Sequence, residues 1–282
     1  MPDLPIATTI AELRTWTATI RQGGARLGLV PTMGALHEGH LSLVRETRNH
    51  ADKVVVSIFV NPTQFAPHED FDRYPRTLKD DAEKLSAEGG TDLIFAPGIG
   101  EMYPDGFATR IEVGGPSQGL ESDVRPHFFS GVATVVAKLL LAVMPDIATF
   151  GEKDYQQLQV IRRLAADLGL TTEILGAPII RESDGLAMSS RNAYLKAFER
   201  QVAAQMNLVL KQVHVMLRGG ATVTAAEDAG KRALLEAGFG SVDYVAVRDA
   251  VALTTLAMLD RPARVLAAAT IGKTRLIDNM AV

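Results

Sequence analysis

The chain has no cysteine in its 282 residues. That excludes disulfide staples and thiolate zinc sites, and it agrees with the expectation of a reducing, cytoplasmic setting. Nor does it have an apolar run long enough to cross a bilayer, since the stretch from Val132 to Met144 is too short and carries Lys138. Met1 to Ile10 lack a basic segment followed by an apolar one, so no secretory leader is expected. Charge of one sign is also missing in excess. With 29 basic and 33 acidic residues, and a formal net charge of −4, no broad basic face is available for nucleic acid or an anionic membrane. Neither partner is therefore expected, although a local basic pocket stays open. Internal repeats and low-complexity segments are absent.

Hydrophobic residues make up 47% of the chain and charged residues 22%, the balance of a soluble globular protein with a substantial core. Thr9-Ile10-Ala11-Glu12 is a capping box that opens a helix to about Arg21, where Gly23-Gly24 stops it. Strand-like segments at Arg26 to Val30, Lys53 to Val60, Asp92 to Ala96 and Ile147 to Phe150 alternate with helical ones. The helical segments are Leu41 to Asn49, Thr77 to Glu88, Val132 to Met144 and Gln156 to Asp167. Such alternation predicts an α/β fold with a parallel sheet and right-handed crossovers. Thr109 to Val113 reads as a further strand. Thr171 to Ile180 reads as one or two short strands interrupted by Gly176 and Pro178. After Asn192 the texture changes. Helices at Lys196 to Leu217 and Thr222 to Ala237 precede strands at Val242 to Val247, Val265 to Ile271 and Arg275 to Ile277, which predicts a smaller α+β domain. The expected division is residues 1–180 and 181–282.

Several polar sets fall at strand ends. Leu29 to His40 leave a strand through Pro31 and Gly34, both read as turn residues, and enter a helix with His37 and His40 flanking Gly39. Free N–H groups and the positive end of a helix dipole make such a junction an anion site, though two ordinary half-buried histidines also fit. Asn61 and Gln64 follow the next strand; their amides suit a small polar acid or, equally, the capping of a loop. Gly151-Glu152-Lys153-Asp154 and Gln157 end another strand. There a lysine can neutralise phosphate, and an aspartate can cap a helix or bind a ribose hydroxyl. Met188-Ser189-Ser190-Arg191-Asn192 sets hydroxyls around a fixed positive charge, a polyphosphate ligand or a plain linker. Asp80-Asp81 reads either as an approach to Mg²⁺ or as first-turn helix acids. In an open α/β sheet the carboxyl ends of strands converge on one crevice, so these sets support one another.

Taken together, these stretches resemble the pantoate–β-alanine ligase family. The resemblance is carried by Pro31 to His40, Phe59 to Phe65, Tyr74 to Thr77, Phe150 to Gln157, Met188 to Asn192 and Ile271 to Asn279, in order and spacing. The histidine segment resembles the HIGH signature of nucleotidyltransferases, and Met188 to Arg191 resembles its KMSKS counterpart. The resemblance implies a Rossmann-like N-terminal domain, a small C-terminal lid and a homodimer using ATP and Mg²⁺. It implies that pantoate attacks the α-phosphate of ATP, and that β-alanine then displaces AMP from the pantoyl adenylate. The family treats the position of His40 as proton donor. The resemblance further implies that Pro31, Met33, Gly34, His37, Gly39, His40, Gly151, Glu152, Lys153, Asp154, Ile180, Met188, Ser189, Ser190 and Arg191 hold ATP. His37, His40, Lys153 and Arg191 would carry catalysis, Gln64, Gln157 and Asn61 would hold pantoate and β-alanine, and Asp80 would sit near the metal.

Two departures stand out. The family's Arg-Pro-Gly-His-Phe reads Arg125-Pro126-His127-Phe128 here, so no pocket role is carried onto His127; and Arg191 replaces the second lysine of KMSKS. Competing readings are an adenylyltransferase making a dinucleotide cofactor, an aminoacyl-tRNA synthetase and a non-catalytic ATP-binding module. The first would want more positive charge at Asn61 to Phe65, and the second a basic region for tRNA. Retention of both histidines, Lys153 and Arg191 weighs against the third.

Overall fold

The computed structural model describes residues 4–65 and 71–282. In chain order its strands and helices are β1 (Ile6–Ala7), α1 (Ile10–Gln22), β2 (Leu27–Thr32), α2 (Glu38–Arg48), β3 (Lys53–Ile58), α3 (Leu78–Glu88), β4 (Leu93–Phe95), α4 (Ile99–Met102), α5 (Glu121–Val124), α6 (Phe128–Val143), β5 (Ile147–Gly151), α7 (Tyr155–Asp167), β6 (Glu173–Ala177), α8 (Ala197–Arg218), α9 (Val223–Glu236), β7 (Ser241–Asp249), β8 (Ala263–Ile271) and β9 (Thr274–Ala281). The first six strands form one sheet in the order β1-β4-β3-β2-β5-β6, with every pair parallel. The last three form an antiparallel sheet, β7-β8-β9. The α/β architecture with a smaller α+β unit is therefore as the sequence predicts. No helix among the described residues is long and apolar enough to cross a membrane.

The alternation of side chains along a strand explains the layers. Val54 and Val56 of β3 pack with Leu43 and Val44 of α2 and Leu85 of α3, while Val55 packs on the opposite face with Leu13 of α1 and Val136 and Leu139 of α6. A strand buried on both faces has to be apolar throughout, which is why Lys53 to Ile58 shows no polar alternation. The second sheet is also covered on both sides. Val245, Val247, Val265 and Ala267 face the cluster containing Val209, Leu210 and Leu234 of α8 and α9, whereas Ala246 and Leu266 pack into the core of the first unit.

Three local expectations are corrected. Thr109 to Val113 is not a strand. The Ile111 N–H donates to Thr134 Oγ1 at 3.0 Å and its carbonyl accepts from Ser130 Oγ at 3.2 Å, so side chains of α6 satisfy this backbone instead of a ladder. The edge strand β1, beside β4, was not expected from so short and proline-flanked a segment. Pro31 lies within β2 and not in a turn.

That last position defines the site. From β2 the chain moves outward through β3 and β4, whereas β5 and β6 lie on the other side, so the order reverses between β2 and β5. These two strands pair only at Gly28–Ile147 and Leu29–Ala148. The Thr32 carbonyl accepts from Phe59 on the β3 side, so Pro31, one residue earlier, turns its backbone toward β5 after that pairing has ended. A proline without an N–H costs nothing there. Helix α2 is drawn tightly onto this gap. A Cβ on Gly28 would lie 2.3 Å from Thr47 Cγ2, and Thr47 Oγ1 bonds Thr149 Oγ1 of β5 at 2.7 Å. Gly28→Ala is expected to lower stability by about 1–3 kcal/mol, as overpacking does, because a buried β-branched side chain has no room to yield. An unchanged urea midpoint would contradict this packing.

Candidate active site

A cleft of about 1280 Å³ opens where β2 and β5 part, between the carboxyl ends of the first sheet and the face of β8 and β9. One wall is the start of α2. His37 is its N-cap, and His37 Nδ1 accepts the Gly39 N–H at 3.1 Å. His40 Nδ1 in turn accepts the His37 N–H at 3.3 Å. Two imidazoles thus form the capping box that hydroxyl and carboxylate side chains usually form. The rings lie 4.1 Å apart between centroids. Because each Nδ1 accepts a backbone N–H, the ring proton of the neutral form is on Nε2 in both. Burial, then the charges of Lys153 and Lys84, lower His37 to about 4. Burial, then the neighbouring His37, lowers His40 to about 3. Both are therefore neutral Nε2–H donors near neutral pH.

The turn entering this helix is held from beneath. Gly34 (φ +83°) and Ala35 (φ +51°) both adopt left-handed backbone. The buried Asp81 carboxylate accepts the Ala35 N–H at 2.9 Å, the Leu36 N–H at 2.7 Å and the Thr77 hydroxyl at 3.2 Å. Lys84 Nζ caps the Leu36 carbonyl at 2.8 Å. The sequence does not single out Lys84, and Asp81 is weighed there only with Asp80, as an approach to Mg²⁺ or a first-turn acid; its bracing role has a signal of its own. Asp81 stands four residues before the buried Leu85, on the same face of α3, whereas Asp80 is exposed.

A second wall follows β3. The Asn61 side chain caps a short turn: its Oδ1 accepts the Thr63 N–H at 3.3 Å and the Tyr103 hydroxyl at 2.7 Å. That fixes which end of the amide is Nδ2, which donates to Gln64 Oε1 at 2.9 Å and to the Gly131 carbonyl at 3.2 Å. Gln64 Oε1 is thereby spoken for, and its Nε2 donors are left for the cleft. The third wall is the turn Glu152–Asp154 between β5 and α7, which presents Lys153, while Gln157 follows in α7. The fourth is the segment from Ile180 to Arg191, closed by the Met188 N–H donating to the Ile180 carbonyl at 2.9 Å and by Ser189 Oγ capping the Arg191 N–H at 3.3 Å.

The cleft brings together most of the residues expected at the site: Pro31, Met33, His37, Gly39, His40, Gln64, Gly151, Lys153, Asp154, Gln157, Ile180 and Met188 to Arg191. Four others do not line it. Gly34 serves the turn, and Asn61 is 1% exposed and spends its amide on positioning Gln64. Glu152 turns its carboxylate to Arg264 at 2.8 Å, and Asp80 is exposed on α3. His127 also lies outside the lining. Basic residues from several elements, Lys153, Arg191, Arg125 and Lys273 among them, suit a polyanionic ligand. Among the described residues no group of three histidine, aspartate or glutamate side chains is placed to hold a metal ion, and Asp80, the residue expected near the metal, does not line the cleft.

Residues 5–281 match the family model for pantoate–β-alanine ligase. The chain belongs to that family. It is 56% identical over 277 residues to a pantothenate synthetase of Mesorhizobium japonicum, a match covering 98% of this chain and 97% of the relative. It is 55% identical over 285 residues to one of Rhodopseudomonas palustris, covering both chains in full. The crystal structure of pantothenate synthetase from Thermus thermophilus superposes with a TM-score of 0.92 at 45% identity, covering 98% of this chain and 99% of that one. A Francisella tularensis pantoate–β-alanine ligase, solved with β,γ-ATP and β-alanine, superposes with a TM-score of 0.82 at 35% identity, covering 98% and 97%.

In the ligand-free protein, the ring signals of His37 and His40 are expected not to titrate between pH 8 and 5.5, as read by NMR. Because the folded state resists their protonation, their contribution to stability is full above the unfolded imidazole value of about 6.5 and is lost as the pH falls toward about 4 and 3. A midpoint near 6.5 for either ring would contradict the geometry. Asp81→Asn leaves a backbone N–H facing a donor and should cost about 1–3 kcal/mol, whereas Asp80→Asn should leave the unfolding midpoint unchanged.

Proposed function

We propose that this chain joins pantoate to β-alanine through a pantoyl adenylate formed in the cleft between β2 and β5, with His37 and His40 as donors to the α-phosphate. Family membership carries the overall reaction, an ATP-dependent ligation that makes pantothenate. The roles of the residues are our reading, and the observation that carries it is the pair of neutral imidazoles at the N-terminus of α2, facing Lys153 across the gap.

A carboxylate does not acylate an amine directly, because its leaving group would be oxide. In the first step a pantoate carboxylate oxygen forms a bond to the α-phosphorus of ATP, and the bond to pyrophosphate breaks. Negative charge accumulates on the α-phosphate oxygens, where preorganised donors act most strongly. The nucleophile is already ionised, so no base is required. With its pKa lowered to about 3, the His40 ring is already neutral near pH 7 and has no second proton to give, so it acts through its Nε2–H as a hydrogen-bond donor and not as a proton source. Lys153 and Arg191 balance the phosphate charge. Gln64 and Gln157 orient the acid, and Asn61 acts on it through Gln64. In the second step the amine of β-alanine attacks the acyl carbon, the bond to AMP breaks, and one amine proton is released. Holding both partners in one cleft supplies much of the acceleration.

Mg²⁺ would accompany the ATP phosphates and offset their charge. The same proposal includes a homodimer in the cytoplasm and a division at residue 180 between a catalytic Rossmann-like unit and a lid.

Pantoate-dependent AMP release in the presence of β-alanine is the direct assay. One oxyanion-type donor is worth about 3 kcal/mol, so His40→Ala should slow adenylate formation at least ~10²-fold while the protein still folds. Near-normal single-turnover adenylation by that variant would overturn the assignment.

A further inference from the structure

The C-terminal strand carries a residue that the reaction scheme leaves without a task. Asn279, 2% exposed on β9, lies far along the chain from the turn that presents Lys153, yet its Nδ2 donates to both the Glu152 and the Lys153 carbonyls, each at 2.9 Å. These carbonyls belong to a 3₁₀ turn whose backbone would otherwise be poorly satisfied at the mouth of the cleft. The amide cannot rotate. Its Oδ1 accepts from Arg264 Nε at 2.6 Å, and the Asn279 N–H donates to Asp278 Oδ1 at 2.7 Å. Arg264 is itself clamped. Its Nη2 bonds Glu152 Oε2 at 2.8 Å and its guanidinium lies 3.8 Å from the centroid of the Tyr155 ring, the first residue of α7. Asp278 is held in turn by Arg181 through two bonds of 2.7 and 2.9 Å. Every atom of the Asn279 amide is thus committed, and both donors of Nδ2 go to the backbone that carries Lys153.

We infer that Asn279 is a positioning residue for adenylation, a tie from the second sheet that sets the backbone of Lys153 and so aims its ammonium across the cleft at the phosphates. The inference rests on the proposed role of Lys153. It gives the second sheet a share in the first chemical step, in addition to covering the cleft. It also explains why Glu152 does not line the cleft: its carboxylate locks the arginine that locks the amide.

The test is a double-mutant cycle on pantoate-dependent ATP–pyrophosphate exchange, using Asn279→Asp, Lys153→Ala and the two combined. Asn279→Asp keeps the shape but turns two donors into acceptors facing two carbonyls. It should lower exchange at least tenfold, with a smaller effect on the KM for β-alanine. In the Lys153→Ala background the same change should have almost no further effect, because the group it aims is gone. Asn279→Ala, which leaves the carbonyls open to water, is a milder second variant expected to give the same non-additive cycle. Thermal unfolding of each variant separates loss of fold from loss of aim. Losses that multiply in the double variant would overturn the tie while leaving Lys153 in its role. Unimpaired exchange by Lys153→Ala would instead overturn the role of Lys153, and the tie with it.

Discussion

The site depends on one constraint: β2 and β5 pair for two residues and then separate. Where they separate, strand ends stop satisfying one another, and the groups that follow each strand are left to face across a gap. Gly28 lets α2 press against β2, so the positive end of that helix arrives at the rim instead of standing off from it. Pro31 sits where a missing N–H does no harm. From this follow a cleft of fixed width, one wall of helix N-terminus and another wall of basic turn.

The polar groups in that cleft are held by a second set of residues whose side chains are spent on bracing them. Asp81 holds the left-handed turn before His37, Asn61 orients the Gln64 amide, and Asn279 grips the carbonyls beside Lys153. Each uses a buried or nearly buried side chain whose hydrogen-bonding capacity is spent on its task. Preorganisation of this kind is what makes donors effective against developing charge, because little reorganisation is needed when the charge appears. It also accounts for the neutral histidines. Two half-buried rings near Lys153 and Lys84 cannot readily add positive charge, so they serve as hydrogen-bond donors.

Much of this was legible in the sequence. The α/β alternation is plain because strands buried on both faces and amphipathic helices differ in period, and the polar sets at strand ends converge by the logic of the fold. What was not legible was the division between residues that face the cleft and residues that brace it. Asp80 and Asp81 are adjacent in sequence, and only helical phase separates an exposed acid from a buried clamp. Asn61 looks like a ligand until its amide is seen to be committed to Thr63, Tyr103, Gln64 and Gly131. Thr109 to Val113 has the composition of a strand, but its backbone partners are hydroxyls on α6, a tertiary choice that local pattern does not encode. The hold of Asn279 on Lys153 joins the two units of the chain, and no motif spacing reveals it.

The most direct measurement is a crystal structure of the protein with a non-hydrolysable analogue of the pantoyl adenylate. The phosphate-equivalent group is predicted to lie between β2 and β5, within hydrogen-bonding distance of Nε2 of both His37 and His40, with the acyl end against Gln64 and Gln157. An analogue bound with that group away from both imidazoles, or with either ring donating from Nδ1, would contradict the central claim.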